Sequence, residues 1–467
     1  MRQTATQRIV QYGELLRNER LPSAIEDLAK IHLLDALGVG LAACSLKTRP
    51  RIEQAVAIMG NAREATVLGQ NAPMSAPAAA LLNGSLIHAL EFDDTHMKAV
   101  VHASAVVAAT ALAVAEREGS SGQSLLKAFV LGWELLARAG LSSPQGFHAR
   151  GFQGTPVMGA PVAAAVTAWL MTPQAEIMQQ AMGIAGSQSS GIFEFVQDGS
   201  NVKMLHGGWP AHAGILAAAL AQAGLSGPAT VFEGKKGLFR AFTDDAGAGQ
   251  RFIDALGDLG QRWLIEDVAF KAYPCCHYIQ GAIEALQRIL SKGVTASDIE
   301  RIDCQLPREV AWLVCAPWQE KIAPPSGHVA KFSLPYCLAA LVVAGRVDVR
   351  TFDRENPDPR FQATMQSIHF QAMETSDFPK RYSAKIQVRS RSGQVFEESV
   401  LDVHGSPERP FSRGEVLDKF RANAEMTMSH SNAQDIIDCI ERLDEANAIT
   451  DLSRALRRAN RDFRDEG

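Results

Sequence analysis

The sequence predicts a mainly α-helical protein with an inserted α+β domain. A large all-helical domain is formed by both termini, residues 1–266 and 406–467, and a smaller α+β lid domain covers 267–405. Three observations point there. Residues 1 to about 265 run as one apolar helical segment after another, with no strand–helix alternation, which argues against a doubly wound sheet or a barrel. Between 299 and 403 the texture turns to polar–apolar alternation. After the loop GSPERP (405–410) charged amphipathic helices return and continue to the end.

The first clear helix is SAIEDLAKIHLLDALGVGLAAC (23–44), with Ser23 expected as N-cap and Glu26 at capping-box spacing. Ala/Leu-rich runs at 75–92 and 104–118 follow. SGQSLLKAFVLGWELLARAG (121–140) places Leu125, Phe129, Gly132 and Leu136 at helical spacing and is expected to stop at Gly140. Further helices are expected over about 157–171, 173–186 and 212–224; their abundant Ala and Gly imply closely approaching backbones. In the insert, IERIDCQLP (299–307) reads as a strand and SAKIQVRSRSGQVFEESVLDV (383–403) as a β-hairpin turning at Ser392–Gly393. HVAKFSLPYCLAALVVAG (328–345) reads as a helix with an irregular start at Pro335.

The 467 residues, 46% hydrophobic and 21% charged, exclude a disordered chain, a collagen-like repeat and a coiled-coil rod. A formal net charge of −5 makes a general nucleic-acid binder a poor expectation, while leaving room for a locally basic pocket. Seven scattered cysteines argue for a reducing compartment rather than a disulfide framework. The opening residues MRQTATQRIVQYGELL lack the apolar core of a secretory signal, and GAPVAAAVTAWLM (159–171) is short and Ala-rich for a membrane span. A cytoplasmic protein without membrane or nucleic-acid partners is expected.

Four polar clusters can carry chemistry. NGSLIHALEFDDTHMKAVVHAS (83–104) packs His88, Asp93, Asp94, Thr95, His96 and His102 between apolar helices. Its structural reading is a capped interhelical turn with a hydrogen-bonded histidine. A metal reading lacks a second motif to complete it, so no metal is expected. GSQSSGIFEFVQDGSNVKMLHGGWPAHAG (186–214) contributes Lys203, His206 and His212; Lys203 could hold a carboxylate, or snorkel to the surface. The glycines here match no phosphate-binding pattern. KAYPCCHY (271–278) sets Lys271 and His277 at the domain junction, where ligand clefts form; its adjacent cysteines are neither a redox motif nor a usual metal pair. GFHARGFQGTP (146–156) adds His148 and Arg150 in a Gly-rich loop, and Tyr336 reads most simply as a core tyrosine.

These clusters resemble the MmgE/PrpD family. NGSLIHALEFDDTH…HAS is similar to its NG-x-x-x-H-A-x-x-x-D-D-x-H…H-x-S signature, and the likeness runs on through GFHARGFQGTPVMGAP, GIAGSQSSGIFEFVQDGSNVKMLHGGWPAHAG, KAYPCCHYIQGAIEAL and FSLPYCLAAL. The family includes 2-methylcitrate dehydratase, cis-aconitate decarboxylase and iminodisuccinate epimerase. The resemblance implies an active site between a helical domain and an α+β lid, a homodimer, no metal or organic cofactor, and a small anionic carboxylate as substrate. It points to Asp93, Thr95 or His96, His102, His148, Lys203 and the Lys271–His277 segment as site residues. Three places depart from the family pattern: Ala149–Phe152 replace a small Thr-containing loop, Met204 replaces a basic residue, and Gln280 stands where a histidine often does. With Arg150 added, a carboxylate held from a different side is expected.

The reactions of such a family move a proton at a carbon beside a carboxylate, which needs a base, a proton donor and cations for the developing charge. The expected roles are His102 as base or acid, Asp93 orienting it, Lys203 polarising a carboxylate, and His148 as second acid. His88, Thr95, His96, Arg150, Lys271, His277 and Tyr336 are expected to bind substrate. The leading expectation is a cofactor-independent dehydratase acting on a hydroxylated di- or tricarboxylic acid. Epimerisation, decarboxylation and non-catalytic binding are the alternatives.

Overall fold

The computed structural model describes residues 3–352, 358–447 and 449–458. Twelve helices of ten or more residues are found among the described residues: α1 (Ala5–Asn18), α2 (Ser23–Ala43), α3 (Ala76–Ala89), α4 (Ala103–Arg117), α5 (Gly122–Ser142), α6 (Gly154–Met171), α7 (Ala175–Gly186), α8 (Leu205–Gln222), α9 (Gln280–Leu290), α10 (Leu334–Ala344), α11 (Arg413–Ala424) and α12 (His430–Glu441). Six strands accompany them: β1 (Thr95–His96), β2 (Val268–Ala269), β3 (Ile299–Leu306), β4 (Ile368–Ala372), β5 (Ala384–Ser390) and β6 (Val395–Val400). The fold is mainly α with an inserted α+β part.

Two hydrophobic cores organise it. One joins α1–α8 to the C-terminal helices through Phe420, Ile436, Ile437 and Leu456. A Cβ on Gly38 of α2 would stand 2.7 Å from the Phe420 ring, so the two termini meet at a small residue. The other core gathers Ile279, Ile283, Ile302, Cys304, Leu338, Ile386 and Val388, with Met97 reaching in from the first half. Its sheet has the order β4-β3-β5-β6. Ile302 pairs with Ile368 in parallel and with Val388 antiparallel, and Val388 pairs with Phe396 across the hairpin. Gly393 at the turn has φ +88°, open to glycine at no steric cost. The parallel strand β4 has no counterpart among the sequence-based expectations.

Two helix ends differ from expectation. The α2 N-cap is Pro22 with no side-chain bond, so Ser23 is the first helical residue rather than the cap. α5 starts as expected, with Ser121 accepting from the Ser124 N–H, but continues past Gly140. That glycine is needed for packing: a Cβ there would lie 2.6 Å from the Ala99 carbonyl oxygen.

α6 is long and apolar enough to cross a membrane by composition, yet it is 89% buried inside the protein, as a core helix is. It packs against α8, which also crosses α3 at backbone contact. A Cβ on Gly207 would come within 2.4 Å of the Gly84 oxygen, and one on Gly208 within 2.0 Å of the Leu81 oxygen. This crossing sets the chain entering α8, with Lys203 and His206, beside the end of α3, with His88 and Glu91. The two-stranded ladder β1–β2 pairs Thr95 with Ala269 and His96 with Val268, tying the His/Asp cluster to the start of the second core.

Candidate active site

After α3 the chain makes two buried carboxylate–histidine pairs from adjacent residues. Asp93 Oδ2 accepts from His88 Nδ1 at 2.8 Å and lies 3.7 Å from His102 Nδ1. Asp94 turns away and accepts from His32 Nδ1 and Ser104 Oγ, each at 2.8 Å. Trp133 Nε1 donates in turn to Ser104 Oγ, and His32 stacks on Phe270 at 4.3 Å. Asp94 therefore anchors the loop to the helical core, and Asp93 faces the histidines His88 and His102.

A small cavity opens above this cluster, between the two cores. It is lined by Glu91, Thr95, Val100, His102, His148, Gln153, Phe193, Lys203, Lys271, Cys276, His277, Tyr278, Leu313, Phe332 and Tyr382. His102 Nδ1 sits 3.2 Å from both Thr95 Oγ1 and the Asp94 carbonyl oxygen. A carbonyl only accepts, so Nδ1 carries the ring proton and Nε2 is left as a bare lone pair. His148 repeats the pattern: its Nδ1 lies 3.3 Å from Gln145 Oε1, again leaving Nε2 unprotonated. Lys203 Nζ bonds both carboxylate oxygens of Glu91. Lys271 Nζ donates to the Glu91 carbonyl at 2.9 Å. On the far wall, Tyr382 donates to the Met97 carbonyl at 2.8 Å and its ring meets that of Tyr278.

Burial dominates the titration of these groups. It pushes His102 well below the usual imidazole range; Asp93 pulls the other way, and the ammonium groups of Lys271 and Lys203 push it down further. Burial and then Lys203 lower His148 to about 4. Burial and Lys271 lower His277 to about 3, and both ring nitrogens of His277 are buried without a hydrogen-bond partner. These three imidazoles are neutral at pH 7. Burial also opposes ionisation of Glu91, but Lys203 and Lys271 outweigh it and hold the carboxyl down at about 2. Burial raises the Cys276 thiol to about 12, which removes it as a nucleophile.

The structure thus brings Thr95, His102, His148, Lys203, Lys271 and His277 to one cavity, with Asp93 and His88 directly beneath His102. Four expected binding residues do not line the cavity: His88 is wholly buried beneath His102 on Asp93, and three others lie elsewhere. Arg150 points outward to Asp244 at 2.6 Å, so it holds no substrate from inside the cavity. His96 is fully buried with Nδ1 accepting from the Ala99 N–H at 3.1 Å, which closes its own turn. Tyr336 is in the second core, its hydroxyl donating to the Thr351 carbonyl at 3.1 Å. Gln280 does not face the cavity either: its amide accepts from the Ala272 and Tyr273 N–H groups and donates to the Tyr273 carbonyl, fixing the 272–275 loop.

Glu91 is the residue the sequence reading missed. A signal was present: a lone charge between Leu90 and Phe92, on a stretch otherwise apolar back to Ala76 except for Asn83, Ser85 and His88. Glu91 and Val100 line the cavity, and Gln145 supports His148; these are the non-glycine residues with positive φ, +56°, +53° and +65°, among the described residues. His88, Asp93 and His102 offer ligand atoms within 4.8 Å of one another, close enough for a metal ion. The His88–Asp93 separation is that of a direct hydrogen bond, and two ammonium groups act on the same spot, so the set fits an acid–base cluster better than a cation site.

A helical domain and an α+β domain enclosing a cavity of neutral imidazoles and ammonium groups define a class suited to acid–base chemistry on anions. The MmgE/PrpD N-terminal domain model matches residues 7–251 and the C-terminal domain model residues 273–445, and the chain belongs to the MmgE/PrpD family. It is similar to a cis-aconitate decarboxylase-like protein, oryM, of Aspergillus oryzae, 27% identical over 459 residues covering 94% of each chain. Cis-aconitate decarboxylase of Aspergillus terreus is 26% identical across 97% of this chain and 96% of its own. The Homo sapiens cis-aconitate decarboxylase is 26% identical across 95% of this chain and 92% of its own.

Proposed function

We propose that this protein is a cofactor-independent lyase that decarboxylates a small unsaturated carboxylic acid, with His102 handling the proton at the carbon beside a carboxylate. The observation that carries the reading is the bare Nε2 of His102, presented to a cavity whose walls also hold Lys203 and Lys271. In such a reaction the bond to the leaving carboxylate breaks and carbon dioxide departs. The electron pair shifts through the double bond to the far carbon, which takes one proton. Lys271, with two N–H bonds left beyond the one given to Glu91, holds a retained carboxylate and stabilises the charge that develops on it. A carboxylate entering beside His102 raises that imidazole's proton affinity. The ring that is neutral in the free site therefore loads a proton as substrate binds and delivers it to carbon.

Dehydration of a hydroxy acid, the leading expectation from sequence, is the second reading. It needs a proton for the leaving hydroxide, and the Lys271 ammonium, fixed by the Glu91 carbonyl, is the group that supports it. The decarboxylase names of the relatives favour the first.

The test is an NMR assay of unsaturated, hydroxy and amino polycarboxylates in heavy water. Carbon dioxide release with one deuterium in the product is expected, and His102→Ala should slow it by about 10²–10⁴-fold. Alkene formation from a hydroxy acid would move the assignment to the dehydratase. Near-normal turnover in a folded His102→Ala protein would refute the role of His102 in either reaction.

A further inference from the structure

We propose that Glu91 sets the charge of the acid this cavity accepts, selecting a dicarboxylate over a tricarboxylate. The inference rests on the decarboxylase reading and names its substrate class. Glu91 is the one carboxylate among the described lining residues. Both its oxygens are on the Lys203 ammonium, and its backbone oxygen holds Lys271 at 2.9 Å. Its side chain is only 3% exposed, and its left-handed backbone fixes it at the end of α3.

The consequence is a matter of matched charges. The Lys203 ammonium already has its counter-ion, so entering anions meet a neutralised pair rather than a free cation. Lys271 retains N–H bonds for one carboxylate. The expected extra cation, Arg150, is spent on Asp244 at the surface. The remaining walls include Val100, Phe193, Leu313 and Phe332, which offer an anion no hydrogen bond, and the neutral His277, which offers an N–H but no counter-charge. One carboxylate retained on Lys271 and one lost as carbon dioxide make two. A third would enter a water-poor space where the Lys203 ammonium is already taken by Glu91, and an anion without its own counter-charge is costly to desolvate there. The fungal and human relatives are named for cis-aconitate, which carries three.

Calorimetric titration of the whole protein with two unreactive saturated probes, glutarate and tricarballylate, tests this. Glutarate is expected to bind at least tenfold more tightly to the native protein. Glu91→Gln, which keeps size and removes charge, should raise tricarballylate affinity at least tenfold and change glutarate less. Glu91→Asp keeps the charge and should keep the native preference, so a folding defect in one variant does not decide the matter. Tighter binding of tricarballylate by the native protein, or no change of preference in a folded Glu91→Gln protein, would overturn the proposal. Absence of decarboxylation leaves this ranking readable and counts against the reaction alone. Efficient decarboxylation of a tricarboxylate supports the reaction and overturns the selectivity.

Discussion

Acid should unfold this protein through its histidines before its carboxylates. His96, His206 and His277 are almost wholly buried and are lowered, chiefly by burial, to about 4, 3 and 3. In the unfolded chain each returns to about 6.5. Between those values the unfolded state binds more protons, so stability falls as pH falls through about 6.5. From pH 7 to pH 5 each group removes about 2 kcal/mol by linkage, and the three together about 6 kcal/mol, a large part of the roughly 5–15 kcal/mol that holds a typical protein folded. Glu91 does not contribute in this window: its folded value of about 2 means its stabilisation is full above the unfolded value of about 4.3 and is lost only below it. Asp35 and Glu134, raised by burial, act in the opposite sense and take up protons in the folded state. A variant isolates the histidine contribution. His277→Gln replaces a titrating group by a neutral one, so its urea-unfolding free energy should fall by about 2 kcal/mol less than that of the native protein between pH 7 and pH 5. Parallel profiles for the two proteins, or a native profile that is flat across this range, would refute the burial argument.

Other perturbations test the scaffold of the cavity. Lys203→Met leaves the Glu91 carboxylate buried without its ammonium and should cost about 3–5 kcal/mol in thermal or urea unfolding; adding Glu91→Leu should recover part of it. Gly208→Ala forces a methyl to within 2.0 Å of the Leu81 oxygen and should destabilise by about 1–3 kcal/mol, since two helix backbones must separate. Gln145→Leu removes the acceptor that fixes His148, and nitrogen NMR of the imidazole should change from a single Nδ1–H tautomer to a mixture, with the chain still folded.

Much of the architecture was legible because hydrophobic periodicity survives without context. The Ala-rich helices, the hairpin at Ser392–Gly393 and the return of the chain to the helical domain all follow from local patterns. Strand β4 was not legible, since IHFQA is short and its pairing with β3 is set by a distant stretch of chain. In the site, residue type was a better guide than adjacency. His102, Lys203 and Lys271 come from separate segments and line one cavity, whereas Arg150 and His96 stand close in sequence to His148 and Thr95 and point away from it. Neighbours on a turn or a two-residue strand diverge, so a cluster in the chain overstates a cluster in space. Asp93 and Asp94 make the same point within two residues, one facing the cavity cluster and the other the core.

The backbone strain falls where the side chains must be held. A left-handed conformation costs an ordinary residue about 1–2 kcal/mol, and a β-branched one is an outlier there. Val100 nevertheless adopts it, in a turn closed by its own N–H on the His96 oxygen at 2.8 Å and by the His96 N–H on the Val101 oxygen at 3.0 Å. That turn delivers His102 to the cavity wall, and its N–H is then caught by Thr155 Oγ1 at 3.0 Å from α6. At Glu91 the strained carbonyl is aimed at Lys271, and at Gln145 the strained residue supplies the acceptor for His148. In each case a contact from the opposite side of the cavity or from its supporting loop holds the strained residue in place. All three of these residues line the cavity or support a residue that does. In the reaction proposed above, this fixed backbone would hold two imidazole Nε2 atoms and one oriented ammonium in place before the anion binds, as electrostatic preorganisation requires.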